Sequence, residues 1–313
     1  MQGVDPLSLK ALTGAVHHGL PGHWRDYLAL CKPKVVAVMM FTAWVGMLLA
    51  MPGSLPWQAL LFGTLGISLM AGSAAALNHV LDRNADAVMH RTRWRPLPSG
   101  QLDVEHSLVF AGVIGVSGFL ILLLLVNTLT ALLTLFSLLG YAVVYTVFLK
   151  RATPQNIVIG GAAGATPPLL GWTAVTGQVE PMALVLFLIV FTWTPPHFWA
   201  LAIYRKEDYA RVGIPMLPVT HGEDFTRVQI LLYTALLLAV TLLPVGMGFS
   251  GWLYLLAALG LGGTFLYHAV MLLLTRSRQR AIGTFLYSIV YLLALFGALL
   301  ADRYLGVWFA VSM

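Results

Sequence analysis

The sequence predicts an all-α, polytopic integral membrane protein, with nine transmembrane helices around a central cavity open to the cytoplasmic side. Three observations predict it. The 313 residues are 59% hydrophobic and only 10% charged, whereas soluble domains carry roughly 25% charged residues. Apolar stretches of about 20 residues recur along the chain, each long enough to cross a hydrocarbon core of ~30 Å. The basic residues, finally, fall almost entirely on one side of the spans that those stretches define.

The elements follow in order. Residues 1–34 predict a cytoplasmic N-terminal arm, because Asp5, Lys10, His17, His18, His23, Arg25 and Asp26 interrupt them and leave no apolar core of a signal peptide. Residues 24–33 suit an amphipathic helix lying on the membrane surface. Residues 35–313 predict one nine-helix membrane domain, with spans at 35–51, 57–80, 107–126, 128–149, 155–175, 181–203, 228–248, 251–275 and 281–300. Turn signals separate them: Pro52-Gly53-Ser54, Asn127, Gly177, and the run from Gly248 to Gly251.

With these spans, Lys10, Arg25, Lys32 and Lys34 precede the first crossing. Arg83, Arg91, Arg93 and Arg95 follow the second, and Lys150 and Arg151 the fourth. Arg205, Lys206, Arg211 and Arg227 follow the sixth, and Arg276, Arg278 and Arg280 the eighth. All but one of the 18 Lys and Arg residues therefore share a side, and only Arg303 lies opposite. The positive-inside rule puts that side, and the N-terminus, in the cytoplasm, with the C-terminus outside. Two cytoplasmic loops are long, 81–106 and 204–227. Each follows an even-numbered span, four spans apart, which suggests a duplicated four-helix unit with paired loops over one cavity.

Composition also excludes classes. A single cysteine, Cys31, rules out an internal disulfide and a cysteine metal cluster. The net charge of +6 has almost no solvated face on which to bind nucleic acid, so no nucleic-acid partner is expected.

The chemistry concentrates after the second span. Asn78, Asp82 and Asp86 stand at i, i+4 and i+8, stepping ~6 Å along one helix face. Carboxylates so spaced can reach separate or shared Mg²⁺ ions, whose other positions go to water and phosphate oxygens, and Asn78 adds a neutral ligand or orients a carboxylate. Arg91 and Arg95, again four apart, suit diphosphate oxygens. The plain alternative is a solvated helix end with surface ion pairs. An EF-hand loop is excluded, because Ala87 and Arg93 stand where that loop needs Gly and Glu.

The pattern Asn78-x3-Asp82-x3-Asp86, continuing through Met89-His90-Arg91-Thr92 and Arg95-Pro96-Leu97-Pro98-Ser99-Gly100, resembles the signature of the UbiA superfamily of membrane prenyltransferases. Ala85 departs from it, standing where a larger apolar residue is usual. The resemblance implies that Asn78, Asp82 and Asp86 hold Mg²⁺ and the isoprenoid diphosphate, with Arg91 and Arg95 as further diphosphate contacts. Members that prenylate quinone precursors carry a second acidic motif after the sixth span. Here only Asp208 stands as a candidate acid, and Val212 occupies the position of a partner four residues on.

The run Thr194-Pro195-Pro196-His197-Phe198-Trp199, then Tyr204-Arg205-Lys206-Glu207-Asp208-Tyr209 and Gly213-Ile214-Pro215-Met216-Leu217-Pro218, resembles instead the protoheme IX farnesyltransferases of that superfamily. So does Thr153-Pro154-Gln155-Asn156 through Gly164-Ala165-Thr166-Pro167-Pro168. The likeness runs in blocks from about Trp24 to His221; the last three spans carry no diagnostic motif. It implies an Mg²⁺-dependent transfer of farnesyl from farnesyl diphosphate to a vinyl group of haem b, giving haem O, in the bacterial plasma (inner) membrane. A downstream haem-modifying enzyme or oxidase assembly factor is the implied recipient. By the same resemblance Lys150 neutralises the leaving diphosphate, Asp208 contributes to the metal site, and Arg205 and Lys206 contact substrate. For the three basic residues, positive-inside topology is a sufficient explanation on its own. Lys32 and Lys34 have the same dual reading.

His197 sits in an apolar span behind two prolines that free backbone groups. An ionisable group there is costly and points to function, and imidazole ligates haem iron. It equally suits a core histidine bonded to a freed carbonyl. His79 is the second candidate ligand. His17, His18, His23 and His221 read as solvated, and His268 as structural. Tyr145 lies near the cytoplasmic mouth beside Lys150. Trp172, Trp193, Phe198, Trp199 and Tyr204 could line the farnesyl chain or stack on porphyrin, or simply pack. Two rival functions stay open: prenylation of another aromatic acceptor, and a transporter or haem carrier without catalysis.

Overall fold

A computed structural model of the chain describes residues 23–51 and 54–311, with side-chain surroundings as far as residue 306. The readings placed on most of the N-terminal arm, including Lys10, His17 and His18, and on Pro52 and Gly53 lie outside the described residues.

Every regular element among those residues is helical. Helix α1 (Trp24–Leu30) precedes α2 (Pro33–Ala50). A π-helical stretch, Ala59–Gly63, runs into α3 (Thr64–Val88), and α4 (Val104–Leu125) follows the first long loop. Helix α5 (Thr128–Leu139) passes into a second π-helical stretch, Gly140–Leu149, closed by the single turn α6 (Lys150–Ala152). Then come α7 (Asn156–Ala165), α8 (Pro167–Thr176) and α9 (Pro181–Tyr204). The second long loop holds α10 (Lys206–Arg211) and α11 (Leu217–Thr220). Helices α12 (Glu223–Thr241), α13 (Leu243–Gly246), α14 (Trp252–Thr275) and α15 (Arg278–Val311) complete the chain.

Among the described residues, eight helical segments are long and apolar enough to cross a membrane. The stretch predicted as a fifth span, 155–175, is divided into two ten-residue helices, α7 and α8, each about half the length needed to cross alone. The cause is local. Pro167 has no N–H to give the Ala163 carbonyl, and that carbonyl accepts instead from Thr166 Oγ1 at 2.9 Å and Ser137 Oγ at 3.0 Å. Two neighbouring hydroxyls thus satisfy a group that hydrocarbon could not. Pro195 and Pro196, by contrast, do not interrupt α9. The disturbance expected there is confined to the missing donors.

Helix ends obey their sequence signals. Pro33 opens α2 at its first turn after Lys32, whose φ of 50° is left-handed. Asp103 caps α4, accepting from the His106 amide at 2.8 Å, and Asn127 caps α5, accepting from Thr130 at 2.8 Å. Helix α3 runs past the expected end at residue 80, so Asn78, Asp82 and Asp86 share one continuous helix.

Helices α2 and α8 cross with backbone against backbone. A Cβ at Gly46 would collide with the Pro168 carbonyl, and one at Gly171 with the Ala43 carbonyl. Small residues permit this approach where helices meet in lipid. Around the molecule's centre, α2, α3, the second π-helical stretch, α7, α9 and α15 each touch the next, and α15 returns to α2. The ring encloses an apolar cavity of about 480 Å³. Both helices that lead into the long loops, α3 and α9, belong to it.

Candidate active site

The acidic ladder follows, on α3, the residues Ala71, Ala74 and Ala75 that line this cavity, and is tied to the lining through Lys32. Asn78, Asp82 and Asp86 are all buried, at 4%, 4% and 5% exposure, and two segments distant in sequence, together with the loop that follows α3, supply their partners. Lys32 Nζ donates to Asn78 Oδ1 at 2.7 Å, and Asn78 Nδ2 donates to Asp82 Oδ2 at 2.7 Å. Lys150 Nζ donates to the same Asp82 oxygen at 2.5 Å. Arg95 donates to Asp86 Oδ2 at 2.7 Å, while Thr92 Oγ1 holds the Asp86 backbone carbonyl at 2.9 Å. Asn78 Nδ2 also reaches Thr146 Oγ1 at 3.2 Å, in the π-helical stretch. That stretch has wider turns than an α-helix, and it carries Tyr141, Tyr145 and Thr146 on the approach to Lys150. The surface-pair alternative does not hold: these carboxylates face inward.

Charge crowding has a consequence at the helix start. Burial, and then the Arg95 and Lys150 cations, push the Lys32 ammonium down to about 7, against the opposing pull of Asp82 and Asp86. An anionic ligand would find cations at this mouth that have more charge than carboxylate to satisfy.

The second loop is organised differently. Asp208 pairs with Arg205 at 3.7 Å, and Lys206 pairs with Glu223 at 3.4 Å. Neither Asp208, Arg205 nor Lys206 joins the hydrogen-bonded network of Asn78, Asp82 and Asp86. Arg91, on the first long loop, makes no side-chain hydrogen bond to the ladder among the described residues. Burial raises the pKa of the Tyr209 phenol on α10, and the positive charge of Arg91 offsets part of the rise. Arg205 also stacks over Tyr204, at 5.1 Å.

Lys32, Lys34, Tyr141 and Tyr145 line the cavity near the ladder. Tyr145 stacks on Tyr141 with ring centroids 5.5 Å apart and lies over Gly160, where a Cβ would meet its ring. The wall from α9 bears Val190, Trp193, Thr194, His197 and Phe198. Trp199 does not line it. Residue 199 lies about 200° around the helix from residue 197, so Trp199 turns its edge to Tyr233 on α12, at 5.3 Å. Trp172 is likewise in the core, 6.0 Å from Phe249, and Tyr204 is on the surface.

The two candidate histidines separate clearly. His79 is buried, and both its ring nitrogens are occluded without a partner among the described residues. His197 lines the cavity, with Nδ1 2.6 Å from Ser288 Oγ on α15. Its ring is sandwiched between Trp193, at 4.2 Å, and Phe285, at 4.6 Å. Ser288 and Phe285 were invisible to motif reasoning, being a small polar and an aromatic residue in a long apolar helix. His268 stacks on Tyr287 at 4.7 Å.

The residues fit a hard divalent cation. Each carboxylate commits Oδ2 to an internal cation, while Oδ1 of Asp82 and of Asp86 makes no hydrogen bond among the described residues. Among those residues no three His, Cys, Asp or Glu side chains converge on one point. This donor set matches Mg²⁺, which takes one or two carboxylates and fills the rest of its octahedron with water and substrate phosphate.

The chain matches the UbiA prenyltransferase family over residues 39–293. It is 64% identical over 286 residues to a protoheme IX farnesyltransferase of Alkalilimnicola ehrlichii, covering 91% of this chain and 95% of that protein. Among solved structures, digeranylgeranylglyceryl phosphate synthase superposes with a TM-score of 0.76 at 18% identity, over 90% of this chain and 98% of that one. A UbiA homologue from Archaeoglobus fulgidus bound to GPP and Mg²⁺ superposes with a TM-score of 0.62 at 14% identity, over 88% and 99%. At these identities the two structures speak for the fold.

Proposed function

The chain belongs to the UbiA prenyltransferase family, and from that premise we propose that it transfers farnesyl from farnesyl diphosphate to a vinyl group of protoheme IX (haem b), giving haem O. The observation that carries the chemistry is the buried ladder of Asn78, Asp82 and Asp86, clamped by Lys32, Lys150 and Arg95, with Lys32 also on the lining of the apolar cavity. The acceptor rests on the 64% identity to a protoheme IX farnesyltransferase.

Asn78, Asp82 and Asp86 would hold Mg²⁺. Bound there, the ion supplies Lewis-acid neutralisation of charge on the diphosphate. Lys150, Lys32 and Arg95, which hold the ladder, stabilise the negative charge that grows as the allylic C–O bond breaks, with Arg91 on the adjoining loop as a further diphosphate contact. The diphosphate leaves with the bonding pair. Tyr145, Trp193 and Phe198 present π surfaces along the cavity to the allylic cation. The haem vinyl group attacks that cation, and water captures the new cation beside the porphyrin, losing a proton to leave a hydroxyethylfarnesyl group. The apolar walls exclude water from the first cation until the carbon–carbon bond forms. Asp208, with Arg205 and Lys206, sits in the second loop as an outer contribution to diphosphate and metal binding.

The same reading makes residues 35–313 one nine-crossing domain in a bacterial plasma membrane. The α7–α8 pair is its fifth crossing, the N-terminus and residues 1–34 are cytoplasmic, and the cavity mouth faces the cytoplasm. A downstream haem-modifying enzyme or oxidase assembly factor receives the product. The test is direct: purified protein with Mg²⁺ and farnesyl diphosphate is given haem b or a hydroxybenzoate, and products are weighed by mass spectrometry. Haem O from the first supports the proposal; prenylated hydroxybenzoate alone, or no product, refutes it.

A further inference from the structure

The wall of the cavity opposite α3 contains a hydrogen-bonded chain that the reaction scheme does not use. Ser288 on α15 is fully buried. Its hydroxyl donates to the Phe285 carbonyl at 2.6 Å, one turn earlier on the same helix. A serine hydroxyl has one proton to give. The same hydroxyl lies 2.6 Å from His197 Nδ1. When its proton goes to the carbonyl, which can only accept, Ser288 Oγ accepts from Nδ1–H, and Nε2 is left as the bare nitrogen. Nε2 has no hydrogen-bond partner among the described residues and is not sealed off from the cavity that His197 lines.

The ring's orientation is fixed as firmly as its tautomer. Trp193 and Phe285 stack on its two faces, at interplanar angles of 21° and 30°. Trp193 Nε1 donates to the Ser288 backbone carbonyl at 2.7 Å, so the stacking partner is tied to the residue that holds Nδ1. Thus α9 and α15 are locked around a single imidazole. A histidine that served only to satisfy the helix interior would not need an unpartnered nitrogen facing a cavity of about 480 Å³. Metal-ligating histidines have this arrangement: one nitrogen on a fixed acceptor, the other free for the metal.

We infer that Ser288 is the positioning residue for the haem substrate, holding His197 in the Nδ1–H tautomer so that Nε2 ligates the porphyrin iron. The inference rests on the proposed haem acceptor. Ligation there fixes how far the macrocycle enters the cavity, and so brings a vinyl group within reach of the farnesyl chain. The occluded nitrogens of His79 offer no comparable lone pair.

The experiment is optical titration of the purified full-length protein with haem b and with iron-free protoporphyrin IX, for wild type, Ser288→Ala, Ser288→Thr and His197→Ala. Loss of a second partner to a metal-bound histidine weakens affinity by about 10–100-fold. Ser288→Ala should therefore lose at least about tenfold in haem affinity with no loss for the iron-free porphyrin. Ser288→Thr, whose hydroxyl can make the same bond to the preceding turn, should bind haem as wild type does. The iron–histidine stretching band of ferrous haem should shift in Ser288→Ala and vanish in His197→Ala. Should the alanine variant fail to fold, Ser288→Cys, with its weaker hydrogen bond, takes its place. Wild-type haem affinity and an unshifted iron–histidine band in Ser288→Ala or Ser288→Cys would overturn the inference, as would equal losses for haem and iron-free porphyrin. If those results came with haem O formation by wild type, the proposed function would stand without this inference. If haem bound through His197 but no haem O formed, the inference would stand and the function would fall.

Discussion

Replacing Asp82 with Asn keeps the side chain's shape and removes its charge, which isolates the electrostatic role of the ladder. Asp82 Oδ2 receives Asn78 at 2.7 Å and Lys150 at 2.5 Å, and the side chain is 6% exposed. The fold should tolerate the change. A hydrogen bond to a charged group is worth ~1.5–3 kcal/mol, and Lys150, at 14% exposure, keeps a path to solvent rather than being stranded unpaired. A stability loss of about 1–3 kcal/mol follows. Turnover should suffer more. A preorganised charge acting on a leaving oxyanion contributes ~3–4 kcal/mol, or about 10²–10³-fold in rate, and the amide is also a poorer ligand for a divalent cation. Haem O formation by purified Asp82→Asn, measured by mass spectrometry at saturating Mg²⁺ alongside thermal unfolding in detergent, checks both parts. A folded variant retaining turnover within about threefold of wild type would refute the role assigned to this carboxylate.

Three further expectations follow from the geometry. Asp208→Asn should reduce turnover less than tenfold at saturating Mg²⁺, because Asp208 is paired with Arg205 outside the buried network; a loss as large as that of Asp82→Asn in the same assay would make it an inner ligand. Gly171→Ala forces a methyl group onto the Ala43 carbonyl and should cost about 1–3 kcal/mol of stability, read as a lower unfolding temperature; an unchanged temperature would mean that the α2–α8 contact is loose. His106 holds the Asp103 carboxyl below the usual carboxylate range, chiefly by a backbone hydrogen bond and then by its side chain. A depressed native pKa stabilises the fold above the unfolded value of about 3.9 and loses that contribution as pH falls through the native value. The unfolding-temperature gap between wild type and Asp103→Ala should therefore be full at pH 7 and shrink below about pH 4. A gap independent of pH would discount the cap.

Much of this was legible in the sequence, and the reasons differ by level. Membrane spans announce themselves through composition and length, so eight of the nine expected spans coincide with helical segments long and apolar enough to cross, among the described residues. The division at Thr166 was harder, because its consequence depends on whether Ser137, on another helix, supplies a hydroxyl. Helical periodicity joined Asn78, Asp82 and Asp86 on one face, and the same arithmetic separates Trp199 from Trp193 and His197, which are four apart. The partners Lys32, Thr146 and Lys150 come from distant segments, which no local pattern encodes. Ser288 lies further still from legibility: one hydroxyl in a long apolar helix reads as filler until a facing imidazole is seen beside it.

The close crossing of α2 and α8 bears on how a lipid-like donor gets in. Where carbonyl oxygens of one helix rest against the Cα positions of the other, with Gly46 and Gly171 leaving no side chain between them, the two rods have no slack through which to part. That portion of the wall is a fixed post. Any widening that admits a fifteen-carbon chain must come from the staves on either side, and the post sets the direction from which the chain can arrive.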